Sequence, residues 1–192
     1  MPTQGFRAGN KPIVFIVIAA LFAVVAAACG TDSGASGDAA TVAKVVSNDR
    51  IYTVEDFEAL RPSGVKTVKD YDVEDLPTAV GAVQAVYNQL AYEIRFYASH
   101  DDAVAQGASY ADSITGEDAV VTGDEVLWEE GERDRRKCSR AAATPHSSCS
   151  YSARYLEYVI RGNMILFCEG NESKEAFSNC EEFMALTEPS PA

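Results

Sequence analysis

A chain of 192 residues with 47% apolar side chains, nine tyrosines and eight phenylalanines has the material for one packed domain rather than several. Its 29 acidic residues outnumber 16 basic ones, for a net charge of −13 at pH 7. That balance excludes general nucleic-acid binding and adsorption of the whole surface to anionic lipid; its simplest consequence is solubility.

Arg7 and Lys11 form a short positive region ahead of an unbroken apolar run, PIVFIVIAALFAVVAAA, from Pro12 to Ala28. Its 17 residues sit at the lower edge for a membrane-spanning helix, and no basic stop-transfer cluster follows. The run ends in AAAC, Ala26–Cys29. These residues resemble the lipobox of bacterial lipoproteins, over residues 1–30 only and with a departure at Ala26, where leucine is commoner. The resemblance implies that Cys29 carries a diacylglycerol, that the leader is cut before it, and that the new amino terminus is acylated. It places the remaining chain outside the cytoplasm, anchored to a cell membrane by lipid. A retained signal anchor and an ordinary secretory leader are the alternatives. Cleavage removes two of the 16 basic residues, leaving 14 against 29 acidic ones, a net −15. Two or three acyl chains give durable attachment, and GTDSGASGDAA, Gly30–Ala40, reads as a flexible spacer. The expected division is a leader over 1–28, the lipidated cysteine and tether over 29–48, one domain over 49–188 and a frayed tail over 189–192.

The domain opens with Thr53 as an N-cap, Asp56 at the capping-box position, and Tyr52 and Phe57 placed as a hydrophobic staple. This predicts a helix from Val54 to about Leu60, stopped by RPSG at 61–64. Ser63 and Lys66 match the S-x-x-K pattern of penicillin-binding enzymes, but they follow a helix stop, and neither S-D-N nor K-T-G is present. Residues 65–77 read as irregular or as one short strand. Ala79–Tyr87 and Tyr92–Ala98 are β-prone runs around NQLA. In the second, Ile94 and Phe96 share one face while Glu93, Arg95 and Tyr97 share the other. Ser99 then caps a helix with Asp102 in the capping box, and Val104, Gly107, Ala108, Ala111 and Ile114 follow its period. His100, at the first helical position, is expected to be exposed. A catalytic role would require an orienting carboxylate and a nucleophile, and neighbouring Asp101 and Asp102 point in other directions.

The next stretch is acidic, then basic. Glu117, Asp118, Asp124, Glu125, Glu129 and Glu130 lack the alternating loop that cages Ca²⁺ and read as a solvated face. Asp124 is placed to cap a short helix carrying Leu127 and Trp128. Arg133, Arg135, Arg136, Lys137 and Arg140 form the one basic island, a candidate contact for anionic headgroups, a wall polymer or an acidic partner; local neutralisation by the preceding acidic run is the alternative. Residues 139–153 read as loop. His146 and Cys149 within it, with Cys138 just before it, are three soft ligands, weak candidates for zinc because the spacing is not that of a finger or ribbon and no fourth ligand is evident.

Tyr155–Ile160 and Met164–Cys168 read as two strands around the turn RGN, and Asn171 as the cap of a helix whose stripe is Ala176, Phe177, Cys180, Phe183 and Met184. With Cys29 acylated, Cys138, Cys149, Cys168 and Cys180 remain, an even set for an oxidising compartment. Of three possible connectivities, Cys138–Cys149 and Cys168–Cys180 are favoured: the first closes a ten-residue loop, and the second joins a strand to the helix folding back over it. The fold class expected is α+β, an antiparallel sheet built from two strand–strand–helix units with helices on one face. No catalytic set and no cofactor motif is evident. The expected function is that of a non-enzymatic envelope protein binding an unidentified protein or small ligand. A metal-handling lipoprotein, or a hydrolase whose site assembles only in the fold, is the alternative.

Overall fold

A computed structural model describes residues 44–48, 50–138 and 149–188. Cys29, the tether's first residues, Arg140, His146 and the tail at 189–192 lie outside the described residues. The fold is α+β, built on a six-stranded sheet. Its strands are β1 (Val45–Val46), β2 (Lys66–Tyr71), β3 (Ala79–Tyr87), β4 (Leu90–Tyr97), β7 (Tyr155–Arg161) and β8 (Met164–Glu169), in the order β1-β7-β8-β4-β3-β2. Every pairing is antiparallel except β1 with β7, where Val45 faces Ile160 and Val46 faces Arg161. A small separate sheet pairs β5 (Arg136–Cys138) with β6 (Cys149–Ala153) and puts Cys138 and Cys149 in register. Part of the expected loop at 139–153 is therefore strand.

The two main hairpins follow from their turns. β3 and β4 are joined by Asn88 and Gln89, both with positive φ (48° and 66°), the backbone pattern whose twist matches that of the flanking strands. Gly162 and Asn163 join β7 to β8, with Arg161 opposite Met164. The two hairpins meet through β4 and β8, where Ile94 faces Leu166.

α1 (Val54–Glu58) starts as expected. The Thr53 N–H donates to Asp56 Oδ2 at 2.9 Å, and the Tyr52 and Phe57 rings pack with centroids 6.3 Å apart. α4 (Ser173–Ala185) begins one residue later than the sequence suggests. Glu172 occupies the cap, and the Asn171 N–H donates to Glu175 Oε2 at 2.7 Å. Both helices cover one sheet face. Phe183 is the hub there, its ring 4.3 Å from Tyr92 and 5.9 Å from Phe57, over Val83, Ala85, Ile94, Phe96 and Leu166. Cys180 reaches Cys168 from the same stripe to form a disulfide with Cα atoms 5.5 Å apart.

The remaining helical segment corrects the expectation that all helices share one face. α2 (His100–Asp102) runs through a π turn at Ala103–Gly107 into α3 (Ala108–Ile114). Its Ala103, Ala111 and Ile114 pack on Tyr97, Tyr158, Ile160, Ile165 and Phe167, which are the alternate residues of the same strands and so occupy the opposite face. β4 and β8 are buried along nearly their whole length, so both faces require cover. The π turn also shifts the helical register. Ala103, Gly107, Ala111 and Ile114 are buried, and Val104, expected on the stripe, is 40% exposed. Residues 119–131 contain no helix, so the cap expected at Asp124 starts none; Gly123, at φ 93°, turns the chain there instead.

Gly107 tests how tightly this second layer is seated. Its φ is −80°, so alanine suits the backbone and would gain about 1 kcal/mol in helix propensity. A Cβ there, however, would lie 2.6 Å from Ile165 Cδ1 and from Cζ and Oη of Tyr97. Gly107→Ala is expected to lower stability by about 1–3 kcal/mol in urea unfolding, since overpacking outweighs propensity. An unchanged or higher urea midpoint would show that the layer yields.

Candidate functional site

The sheet face beneath α2 and α3 holds the feature that composition and spacing least prepared for. Glu93, Arg95 and Tyr97 alternate along β4 and so share that face, yet Glu93 is 0% and Arg95 1% exposed. A buried carboxylate is tolerated only when paired and hydrogen-bonded. Glu93 is paired twice. Its Oε1 accepts from Arg95 Nε at 2.7 Å, with Nη2 also 2.7 Å away, and its Oε2 accepts from Arg135 Nε at 2.9 Å.

Arg135 arrives from the 3₁₀ turn Glu132–Arg135, 42 residues along the chain. Its Nη1 donates to the Trp128 carbonyl at 2.9 Å and its Nη2 to the Glu130 carbonyl at 2.5 Å. One guanidinium thus fixes both the sheet carboxylate and the irregular segment that roofs it. Arg135 sits 4.3 Å, and Arg95 4.8 Å, from the centre of the Trp128 ring, and Arg95 is 4.4 Å from that of Phe167. Such stacking suits guanidinium groups in dry surroundings. Tyr71, Leu76, Ala82 and Trp128 complete the packing. Gly131, at φ 75°, lets the backbone approach this cluster: a Cβ there would lie 2.6 Å from the Tyr71 ring.

Burial by itself would push the Glu93 carboxyl up, but the charges of Arg135 and Arg95, with their hydrogen bonds, outweigh it and hold the group below the usual glutamate value. Burial pulls Arg95 down from the usual arginine value, against the attraction of Glu93. Burial also raises Tyr71, Tyr97 and Tyr155, so their hydroxyls stay protonated at neutral pH.

The basic island expected to form a surface contact is dispersed. Arg135 is 1% exposed and belongs to the Glu93 cluster, so it offers nothing to solvent. Arg133 is exposed, Arg136 is half-buried, and Lys137 Nζ donates to Asn171 Oδ1 at 3.1 Å. Glu117, Asp118, Asp124, Glu125 and Glu129 are exposed, and Glu130 pairs with Lys69 at 3.7 Å. Among the described residues no three His, Cys, Asp or Glu side chains gather as a metal site. His100 is half-buried rather than exposed, and its Nδ1 donates to the Gly162 carbonyl at 2.7 Å, tying the helix start to the β7–β8 turn. Ser63 ends a 3₁₀ turn and Lys66 begins β2, so the S-x-x-K residues do not open a helix.

Asn163, read in the sequence only as part of a turn, proves to be a buried clasp. Its Oδ1 accepts from the Tyr52 N–H at 2.7 Å, and its Nδ2 donates to the carbonyls of Tyr52 and Tyr97 at 3.1 and 2.8 Å. Beside it lies an open cleft of about 320 Å³ between the approach to α1 and the adjoining ends of β3 and β4. Ile51 and Val80, 59% and 64% exposed, flank it, with Thr53, Glu55 and Phe96 also in the lining.

Glu93→Gln keeps the shape but leaves two buried cations without a counter-charge, and is expected to cost about 3–5 kcal/mol in urea unfolding at pH 7. Because the folded pKa lies below the ordinary value of 4.5, the contribution of Glu93 is complete above pH 4.5 and is lost as pH falls toward the folded pKa. The wild-type urea midpoint should therefore fall with pH in that window, and more steeply than that of the variant. Equal slopes would remove the ion pairs from the account.

No curated protein and no solved structure matches the chain. Residues 53–189 match a family model described as a family of unknown function, DUF6810, a span that takes in α1, all of the main sheet except β1, the Glu93 cluster and α4. The protein belongs to that family.

Proposed function

We propose that this protein is a lipid-anchored, non-enzymatic binding or accessory module of the cell envelope, facing outside the cytoplasm and held by acyl chains on Cys29. The Cys168–Cys180 disulfide carries the reading. Such bonds persist in oxidising compartments and are rare where thiols are kept reduced. The in-register placement of Cys138 and Cys149 suits a second bridge, and the lipobox-like AAAC gives the route of export.

A binding role is favoured by how the charged groups are used. Glu93, Arg95 and Arg135 are spent on one another, and the His100 Nδ1 proton is spent on a backbone carbonyl. The 320 Å³ cleft instead presents paired exposed aliphatics beside polar groups, the mixture typical of a recognition surface. Its occupant is a protein segment or a small neutral or cationic molecule, in keeping with the −15 of the mature chain.

Intact mass of membrane-extracted protein tests this. The expected species starts at Cys29, carries diacylglycerol, and on reduction gains the hydrogens of two opened disulfides. Cys29→Ala is expected to abolish lipid attachment and cleavage at that site. Full-length, unacylated protein in the cytosol, with every cysteine titratable, would overturn the proposal.

A further inference from the structure

The two most exposed large apolar side chains among the described residues are Val80 and Ile51, and both flank the cleft beside Asn163. Single apolar residues scattered on a surface need no explanation, but a pair at one depression does. Val80 does not reach that place by strand alternation alone. The pairing of β3 with β4 skips it, since Ala79 faces Tyr97 and Gly81 faces Phe96. Val80 is therefore the extra residue of a β-bulge, a device that re-aims a side chain.

Just before the bulge, the Ala79 N–H donates to the Leu76 carbonyl at 3.2 Å, closing a turn around Pro77 and Thr78. Proline holds its φ at about −65°. Thr78 follows with φ 58°, which makes the pattern that of a type II turn. Glycine or asparagine suits that left-handed position, and a β-branched residue there is strained. Strain of this kind concentrates at ligand clamps, where the surrounding structure enforces it. Here the strained turn feeds directly into the bulge that presents Val80.

On the other flank, Ile51 is positioned by its neighbour Tyr52, whose main-chain N–H and C=O are both held by Asn163. Gly81, also in the lining, has no side chain to fill the space. A Cβ there would lie 3.7 Å from Val54 and 3.8 Å from the Phe96 ring. A preformed depression of this kind loses little freedom on binding. At about 320 Å³ and open to solvent, it suits the side chains of a passing polypeptide better than an enclosed small molecule. Its charge is one-sided. Glu55 is the one charged residue in the lining, exposed and without an ion pair among the described residues.

Taking the binding role proposed above as given, we propose that this cleft receives an extended segment of a partner protein. An aliphatic side chain of that segment seats between Ile51 and Val80, and a neighbouring Lys or Arg faces Glu55.

Labelled hexapeptides of alternating Leu-Lys, Leu-Glu and Ser-Lys test this by fluorescence anisotropy. The full chain is held in nanodiscs of neutral phosphatidylcholine, and the signal from empty nanodiscs is subtracted. Saturable binding is expected for the Leu-Lys peptide alone. Val80→Thr and Ile51→Thr change exposed side chains outside the core, and each should raise half-saturation about fivefold. Glu55→Gln should weaken binding and flatten its dependence on salt. Absence of saturable binding, equal binding of either control peptide, or half-saturation unchanged in the threonine variants would each overturn the proposal. Those results leave lipid attachment and export standing, because intact mass reads them separately. Conversely, an unacylated cytosolic chain that still bound the Leu-Lys peptide through Val80 would lose its envelope role and keep the cleft.

Discussion

A carboxylate with no access to water sets the terms for this fold. Glu93 lies on a central strand, and among the described residues the charges that compensate it are the guanidinium groups of Arg95 and Arg135. Arg95 is local, two residues away on the same strand. Arg135 is not, and it has to be delivered by a segment with little regular structure, so the roof over that face is specified by an ion pair as much as by apolar burial. Buried ion pairs add little net stability compared with a well-packed apolar core, but losing one partner is expensive. Their effect here is to permit one arrangement of the roof: with Arg135 elsewhere, Glu93 keeps only one counter-charge and the carbonyls of Trp128 and Glu130 lose their donor.

The opposite face obeys a different rule. Phe57, Tyr92, Phe96 and Phe183 interlock there, and Cys168–Cys180 stitches α4 to its own strand. Large aromatic area and a covalent link supply stability without needing a unique polar geometry. Asn163 joins the parts, because its amide holds the backbone on both sides of the first helix's approach and at the end of β4. A single sheet thus separates an apolar, cross-linked half from a polar, aromatic half.

Local chemistry was legible wherever neighbours in sequence are neighbours in space. Thr53 with Asp56, Ser99 with Asp102, and the stripe carrying Cys180 each declare a helix boundary or a buried face within a few residues. Both hairpins were placed to within two residues of their observed ends. The placement of helices on both faces was not anticipated, because the alternation of Glu93, Arg95 and Tyr97 looks like a wetted face. The continuous apolar run of β8, Met164 to Cys168, was the available sign that both faces are covered. Arg135 was hidden inside a basic run: no local pattern separates the one arginine that turns inward from Arg133, which stays outside. Trp128 was equally opaque, since its position depends on a guanidinium contact rather than on a helical period.

The entry of the chain into the sheet has a mechanical consequence. β1 runs parallel to β7 and is held by few bonds, among them Ile160 N–H to the Lys44 carbonyl and Gly162 N–H to the Val46 carbonyl. A pull on the amino terminus loads that short contact first, and it yields like a fuse. The next points to take tension are Arg50, whose Nη1 donates to the Thr187 carbonyl, and Tyr52, whose main-chain N–H and C=O are both gripped by the Asn163 amide. Because the same amide holds Tyr97, the load passes to the middle of the sheet, where many hydrogen bonds share it. The domain can thus lose its first strand under drag while its two covered faces remain intact.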